Sequence, residues 1–174
     1  MESELIYKFH FSRRVWLLTA LYVVIFALLA AALYSLYEGG YLSAWFSSCI
    51  VALLLLMALS IPRKIRLNDE RLCIDCLMDI TELPLKEIAS VRPVERSEMK
   101  GIIPLLGGFG FFGYYGHYLD VIQVERVRIY ASEWDNLVEI TDIYESRLYV
   151  SCSERDNFIA AIESAMSKSS AKME

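Results

Sequence analysis

Few residues in this chain have the type and spacing that chemistry would need. Cys73-Ile74-Asp75-Cys76 has the CxxC spacing of zinc ribbons and dithiol redox centres. It sits in an alternating, strand-like stretch, and residues three apart on a strand face opposite sides. Two such thiolates cannot grip one ion, and no second Cys or His pair stands near in sequence, so the two read as small buried hydrophobes. His10 and His117 are the only histidines. Neither accompanies a Ser or Cys nucleophile motif, so no triad is implied, and His117 reads as a loop or interfacial residue. Gly108-Phe109-Gly110-Phe111-Phe112-Gly113 spells GxGxxG. A dinucleotide site needs a strand before that motif and a helix after it. Here more aromatics and a strand pattern from Val121 come next. The carboxylates are scattered along strand faces and turns. No catalytic residue, cofactor or metal site is expected.

The most distinctive feature is the run that contains that motif: Gly107, Gly108, Phe109, Gly110, Phe111, Phe112, Gly113, Tyr114, Tyr115, Gly116, His117 and Tyr118. Five glycines and six aromatics in so short a stretch are not ordinary loop filler. Glycine admits positive φ and close backbone approach, and aromatics suit a membrane interface. The preceding Ile102-Ile103-Pro104-Leu105-Leu106 is apolar as well. The run is a candidate membrane- or partner-contact loop, resting against a bilayer or against the membrane helices. The alternative is a tightly packed loop that covers one end of the domain.

Two long apolar segments would position such a loop. Val15 to Tyr37 is uncharged for 23 residues, about 34 Å of helix, enough for a hydrocarbon core of roughly 30 Å. Tyr41 to Ile61 is a second uncharged run, and Glu38-Gly39-Gly40 between them suits a tight turn. Arg13 and Arg14 precede the first run; Arg63, Lys64 and Arg66 follow the second. The turn has no basic residue, so the positive-inside rule puts both ends in the cytoplasm. Trp16, Tyr34, Tyr37, Tyr41 and Trp45 mark the boundaries, and Pro62 ends the second helix. Ala27 and Ala31, Ser43 and Ser47, and Ala44 and Ser48 are small residues at a spacing that lets helices pack closely. Ser12-Arg13-Arg14-Val15-Trp16-Leu17 also resembles a twin-arginine export signal, with Ala30-Ala31-Ala32 as a cleavage site. The apolar run is longer than the roughly 7–15 residues of a signal core and a second follows at once, so an inner-face anchor is the better reading.

The rest of the chain is acidic. From Pro62 onward 14 Lys and Arg face 19 Asp and Glu, which accounts for the net charge of −5. No basic stripe is present, which excludes nucleic acid as the expected partner and disfavours broad adsorption to anionic lipid. Of four cysteines, Cys49 lies in the second apolar run; Cys73, Cys76 and Cys152 suit reduced thiols in a cytoplasmic domain.

Strand patterns fill the domain. Tyr7, Phe9 and Phe11 alternate with Lys8 and His10, so a strand over Ile6–Phe11 is expected before the first helix. If both ends are cytoplasmic it can pair with the domain after the helices, making anchor and domain one folded unit. Lys64–Leu67 and Arg71–Cys76 flank the turn Asn68-Asp69-Glu70. Ile80–Leu85, Ile88–Glu95 and Val121–Tyr130 continue the pattern, and Asn136–Thr141 with Leu148–Cys152 read as a hairpin. Ser153 and Asp156 suggest a capping box for a last helix with Phe158, Ile159, Ile162, Ala165 and Met166 on one face. Beyond Ser167 the tail is expected to fray.

The Gly/aromatic run, then Asn136–Ile140, Leu148–Cys152 and Phe158, resemble bacterial pleckstrin-homology (PH) domain proteins with a membrane hairpin ahead of the domain. The likeness implies a membrane α-helical hairpin plus a mainly-β PH-like barrel or sandwich closed by a C-terminal helix. It divides the chain into an N-terminal strand (1–14), the hairpin (15–61, spans 15–37 and 41–61), the cytoplasmic domain (62–168) and a tail (169–174). It implies the bacterial inner membrane, with both termini cytoplasmic, and an adaptor that meets another protein or a second copy. The alternative is a lipid- or envelope-sensing module that uses the Gly/aromatic loop. Phosphoinositide-binding PH domains use a basic first hairpin; Asn68-Asp69-Glu70 is acidic, so that ligand does not carry over.

Overall fold

The computed structural model describes residues 5–9, 11–36, 41–59, 61–77 and 80–171. His10, Tyr37 and the Glu38-Gly39-Gly40 turn lie outside the described residues. The chain opens with strand β1, Leu5–Lys8, then runs through helices α1, Arg13–Leu36, and α2, Tyr41–Leu59. Strands β2 (Pro62–Leu67), β3 (Arg71–Cys76) and β4 (Ile80–Pro84) come after them. A single 3-10 turn at Leu85–Glu87 leads to β5 (Ile88–Val94), β6 (Ile102–Phe109) and β7 (Tyr114–Asp120). Then come β8 (Glu125–Ala131), β9 (Leu137–Asp142), β10 (Arg147–Ser151) and helix α3 (Arg155–Ala171).

The first sheet has the order β1-β2-β3-β4 and is antiparallel throughout. β1 is the short N-terminal strand, and it lies beside β2, with Leu5 opposite Leu67 and Lys8 opposite Lys64. The strands on either side of the helical pair are therefore neighbours, so α1 and α2 are an insertion into one sheet. Leaving and re-entering at the same edge brings the start of α1 and the end of α2 to the same end of the domain.

The second sheet has the order β5-β9-β10-β8-β7-β6, antiparallel except for the β10–β8 pair. The two sheets do not join. The 3-10 turn separates β4 from β5, and its Leu85 amide donates to the Glu70 carbonyl rather than extending a ladder. Among the described residues the sheets are not closed into a barrel. One core lies between them, with Leu72, Ile74, Ile140 and Val150 packed against Phe158 and Ile162 of α3. Those two α3 residues are fully buried, on the face that the helical spacing predicts. A second core lies on the opposite face of the larger sheet: Tyr118, Val127, Ile129 and Tyr149 pack there with Val15 of α1.

Several expectations need correction. Val121–Tyr130 is not one strand. The Asp120 carboxylate accepts from the Ile122 and Gln123 amides at 2.9 and 3.2 Å, a side-chain-stabilised turn that delays β8 to Glu125. The Gly/aromatic run is a strand pair, not a loop. α3 starts one residue beyond the predicted cap: the Glu154 carbonyl accepts from the Phe158 amide. The helix also continues through 169–171, the first part of the expected tail; residues 172–174 lie outside the described residues. Ala27, Ala31, Ala44 and Ser48 are exposed, and only Ser47 of the described small residues is half-buried. The half-buried stripe on α1 is instead Tyr22, Phe26, Ala30 and Leu33.

Candidate membrane and partner interface

Strands β6 and β7 form a hairpin at the edge of the larger sheet, with Ile102 opposite Asp120 and Phe109 opposite Tyr114. Its turn is Gly110-Phe111-Phe112-Gly113, closed by a Gly110 amide to Gly113 carbonyl bond of 2.8 Å. Gly107 and Gly116 face each other in register, both at positive φ. A Cβ on either would run into the partner strand's carbonyl oxygen, of Tyr115 or of Leu106. That close approach is the physical reason for glycine there.

The hairpin tip rests on the first turns of α1. Thr19 is the contact's polar centre and is buried. Its hydroxyl accepts from the Phe112 amide at 2.9 Å and shares its proton between the Val15 carbonyl, 2.8 Å, and the Gly110 carbonyl, 3.2 Å. Phe112 holds φ +51°, a left-handed conformation that needs such support. Around Thr19 the contact is aromatic: Trp16 meets Phe112 edge-on at 5.8 Å, and Tyr22 meets Phe111 at 6.4 Å. A side chain on Gly110 would strike Leu18 at 2.7 Å. Thr19 and Tyr22 stand six and nine residues beyond Arg13, about 9 and 13 Å along the helix. The tip therefore runs beside the apolar part of α1. The threonine satisfies backbone groups that the apolar side chains around it could not.

The run's other residues divide by strand parity. Tyr115 joins the core between the sheets; Tyr114 and Tyr118 join the second core, where the Tyr118 hydroxyl donates to the Gly108 carbonyl. Burial raises the pKa of all three hydroxyls above the ordinary 10.0; at Tyr114 the Trp134 hydrogen bond and the positive charges of Arg96 and Arg14 oppose the rise. His117 is exposed. On β6 the outward residues Ile103, Leu105, Leu106 and Phe109 are exposed, Leu106 by 74%, and β6 is a free edge of its sheet.

Behind the tip, where α1 leaves the domain, a cleft of about 440 Å³ is lined by Ser12, Arg13, Arg14, Leu18, Arg96, Tyr114, Trp134 and Asp135. Farther along the same face, Glu139 is buried and held bidentately by Arg92 at 2.8 and 3.0 Å, with Tyr149 directly across from it on β10. Burial, and then the hydrogen bond to Glu139, raise the Tyr149 pKa. Arg147 reaches Glu125 at 2.6 Å and Asp120 at 3.4 Å. These pairs neutralise one another and hold strands in register.

Cys73 and Cys76 fall on opposite faces of β3: Cys76 joins the core with Leu72 and Ile74, while Cys73 stands between Arg66 and Glu82 in the sheet. Burial raises the Cys73 and Cys152 thiol pKa values, so both resist forming thiolate. Among the described residues no three His, Cys, Asp or Glu side chains could together hold a metal ion. Sequence reasoning missed Thr19, although a lone hydroxyl inside an apolar run was a signal. It also missed the meeting of Arg96 and Trp134 with the start of α1, for which the sequence carries no local sign.

Two sheets and a C-terminal helix are the elements of a PH-like fold. The chain belongs to the Bacterial PH domain family, whose profile matches residues 63–166. No curated protein matches it, and no solved structure does. PH domains are generally non-catalytic modules for protein interaction or lipid binding, and no enzyme family is indicated. β1, α1 and Thr19 lie outside the matched region, though they complete the first sheet and the second core. α1 is long and apolar enough over Arg13–Ser35 to cross a membrane, and little of it is buried within the protein. In α2 the described apolar stretch is the shorter Ala44–Leu55, so a second span is not shown.

Proposed function

We propose that the chain is a membrane-anchored PH-like adaptor at the inner face of a bacterial plasma membrane. In this reading 15–37 and 41–61 both cross the bilayer, 1–14 and 62–168 form one cytoplasmic unit, and 169–174 is its tail. The partner is another protein or a second copy. The observation that carries this is β6: a free sheet edge with exposed Ile103, Leu105, Leu106 and Phe109, fastened beside a helix long enough to span. An extended segment can add to such an edge, with main-chain bonds giving affinity and alternate side chains specificity. A photo-crosslinking residue in place of Leu106, in native membranes, should give a discrete protein adduct that Leu105→Asp abolishes. Adducts to lipid alone would remove the adaptor reading. They would favour a second one, a lipid- or envelope-sensing module, which the placement of Phe111 and Phe112 beside Tyr22 and Trp16 supports. Reporter fusions at Gly39 and Glu174 should read outside and inside.

A further inference from the structure

The cleft at the start of α1 has features that neither the adaptor reading nor the family accounts for. Arg13 and Arg14 come from the helix start, and Arg96 comes from the segment after β5; they line one space. Two flanking arginines would satisfy the positive-inside rule unaided; a third, brought by the fold from the other side, is not explained by topology. Neither Arg13 nor Arg14 has a carboxylate partner among the described residues. Arg66, Arg71, Arg92, Arg147 and Arg155 all have one. Asp135 is the one acid in the lining, and it meets Arg96 only at 3.7 Å with both side chains more than half exposed, a contact of little strength in water. The charges of Arg13 and Arg14 therefore stay unpaired inside the cleft, as those of the exposed Arg63, Arg126 and Arg128 do elsewhere on the surface among the described residues, in a chain whose net charge is −5.

The other walls fit an amphiphile. Tyr114 and Trp134 meet at a tilt, 4.7 Å between ring centres, along one side, the residue types that sit at headgroup level. Ser12 closes the polar end, where its hydroxyl accepts from the Val15 amide at 3.4 Å, and Leu18 stands one turn farther up α1 at the apolar end. The positive end of the α1 dipole opens into the same space. The cleft volume, about 440 Å³, lies within the range of small-ligand sites.

We propose that this cleft binds the phosphate of an anionic phospholipid headgroup, with Arg13, Arg14 and Arg96 as its charge partners and Tyr114 and Trp134 as its wall. It rests on the reading that α1 enters the bilayer, which sets the cleft at headgroup depth. It would let an acidic domain hold one anionic lipid where the whole surface repels a layer of them.

The test uses the full chain in non-ionic detergent, titrated by native mass spectrometry with dioleoyl phosphatidylglycerol, dioleoyl phosphatidylcholine and inorganic phosphate. Wild type should retain phosphatidylglycerol over phosphatidylcholine. Arg14→Gln and Arg96→Gln should each weaken that retention about fivefold, while Arg63→Gln, an exposed inner-face arginine outside the cleft, should leave it unchanged. An Arg63→Gln loss equal to the other two, or equal retention of both lipids, would overturn the site. Phosphate that displaces the lipid at equal concentration would assign a soluble anion instead and overturn the lipid. Unchanged near-ultraviolet circular dichroism shows that a variant's loss is not misfolding. Membrane entry is read separately, by alkaline carbonate washing of wild-type membranes. Release there sinks the anchoring reading, whereas retention with an inert Arg96→Gln sinks only the headgroup site.

Discussion

The two faces of the six-stranded sheet are covered by different parts of the chain. One face packs on the small sheet and α3, and apart from its borders it is apolar: Ile140, Val150, Phe158 and Ile162 are fully buried. The other face is shared with α1. Val15 of α1 is buried in it beside Tyr118 and Ile129, and Thr19 bonds to the hairpin that forms its rim. A domain tethered by a loose linker needs only the first kind of core. The second kind means that the first turns of α1 belong to the fold, so the domain is held in one orientation to that helix. The two helices differ in the same way: α1 buries Val15 and Thr19, while no described side chain of α2 is fully buried.

The difference can be broken from either side. The largest effect should come from the domain's own core. Phe158→Ala removes a ring that is fully buried and meets Tyr7 edge-on at 5.0 Å. It should cost about 3–5 kcal/mol, read as a lower urea midpoint of the full chain in detergent, and should loosen both faces together. Alkali should act on both cores as well. Tyr115 lies in one and Tyr118 and Tyr149 in the other, and burial raises all three above the ordinary 10.0. Above pH 10.0 the unfolded chain sheds these protons while the folded chain still holds them. Stability contributed by the raised values is therefore complete below that pH and falls as pH climbs through the folded-state values. A melting temperature that rose between pH 9 and 11 would contradict this.

A smaller and more local effect is expected at the anchor. Gly110→Ala puts a Cβ at positive φ against Leu18 and should cost about 1–3 kcal/mol. Proteolysis should then open the 110–113 turn while β9 and β10 stay protected. Smallest of all, Ala31→Leu on the exposed face of α1 should change the unfolding free energy read from urea titration by no more than about 0.5 kcal/mol. A large loss there would mean that the small residues pack after all.

Much of the fold was legible where a period was present. The α3 face follows from spacing, because that helix buries Phe158 and Ile162 on one side; β9 and β10 follow from their residue types although both of their faces are buried, and the N-terminal strand is shorter than expected, Leu5–Lys8. β6 and β7 were not legible as strands. Ile102–Phe109 is apolar on both sides, and glycines interrupt the residues after it, so period two has nothing to alternate. Val121–Val124 misled for the opposite reason: four residues continue an alternation that the Asp120 carboxylate breaks locally. The candidate run itself was legible by composition, and its contact with the membrane helix was one of two readings. Its lock was not, because Thr19 and Phe112 meet only through the β1–β2 pairing that brings α1 back over the larger sheet.

That lock gives the most direct measurement. Hydrogen exchange of the Phe112 amide should be followed in full-length wild type and Thr19→Val, both in nanodiscs. The valine keeps the shape but removes the acceptor, leaving a buried donor unpaired at about 1–3 kcal/mol. A slow amide in wild type that exchanges roughly ten- to a hundredfold faster in the variant, with β9 and β10 unchanged, is the expected result. Equal exchange in the two proteins would mean that the hairpin does not lean on α1, and that the domain is merely tethered to it.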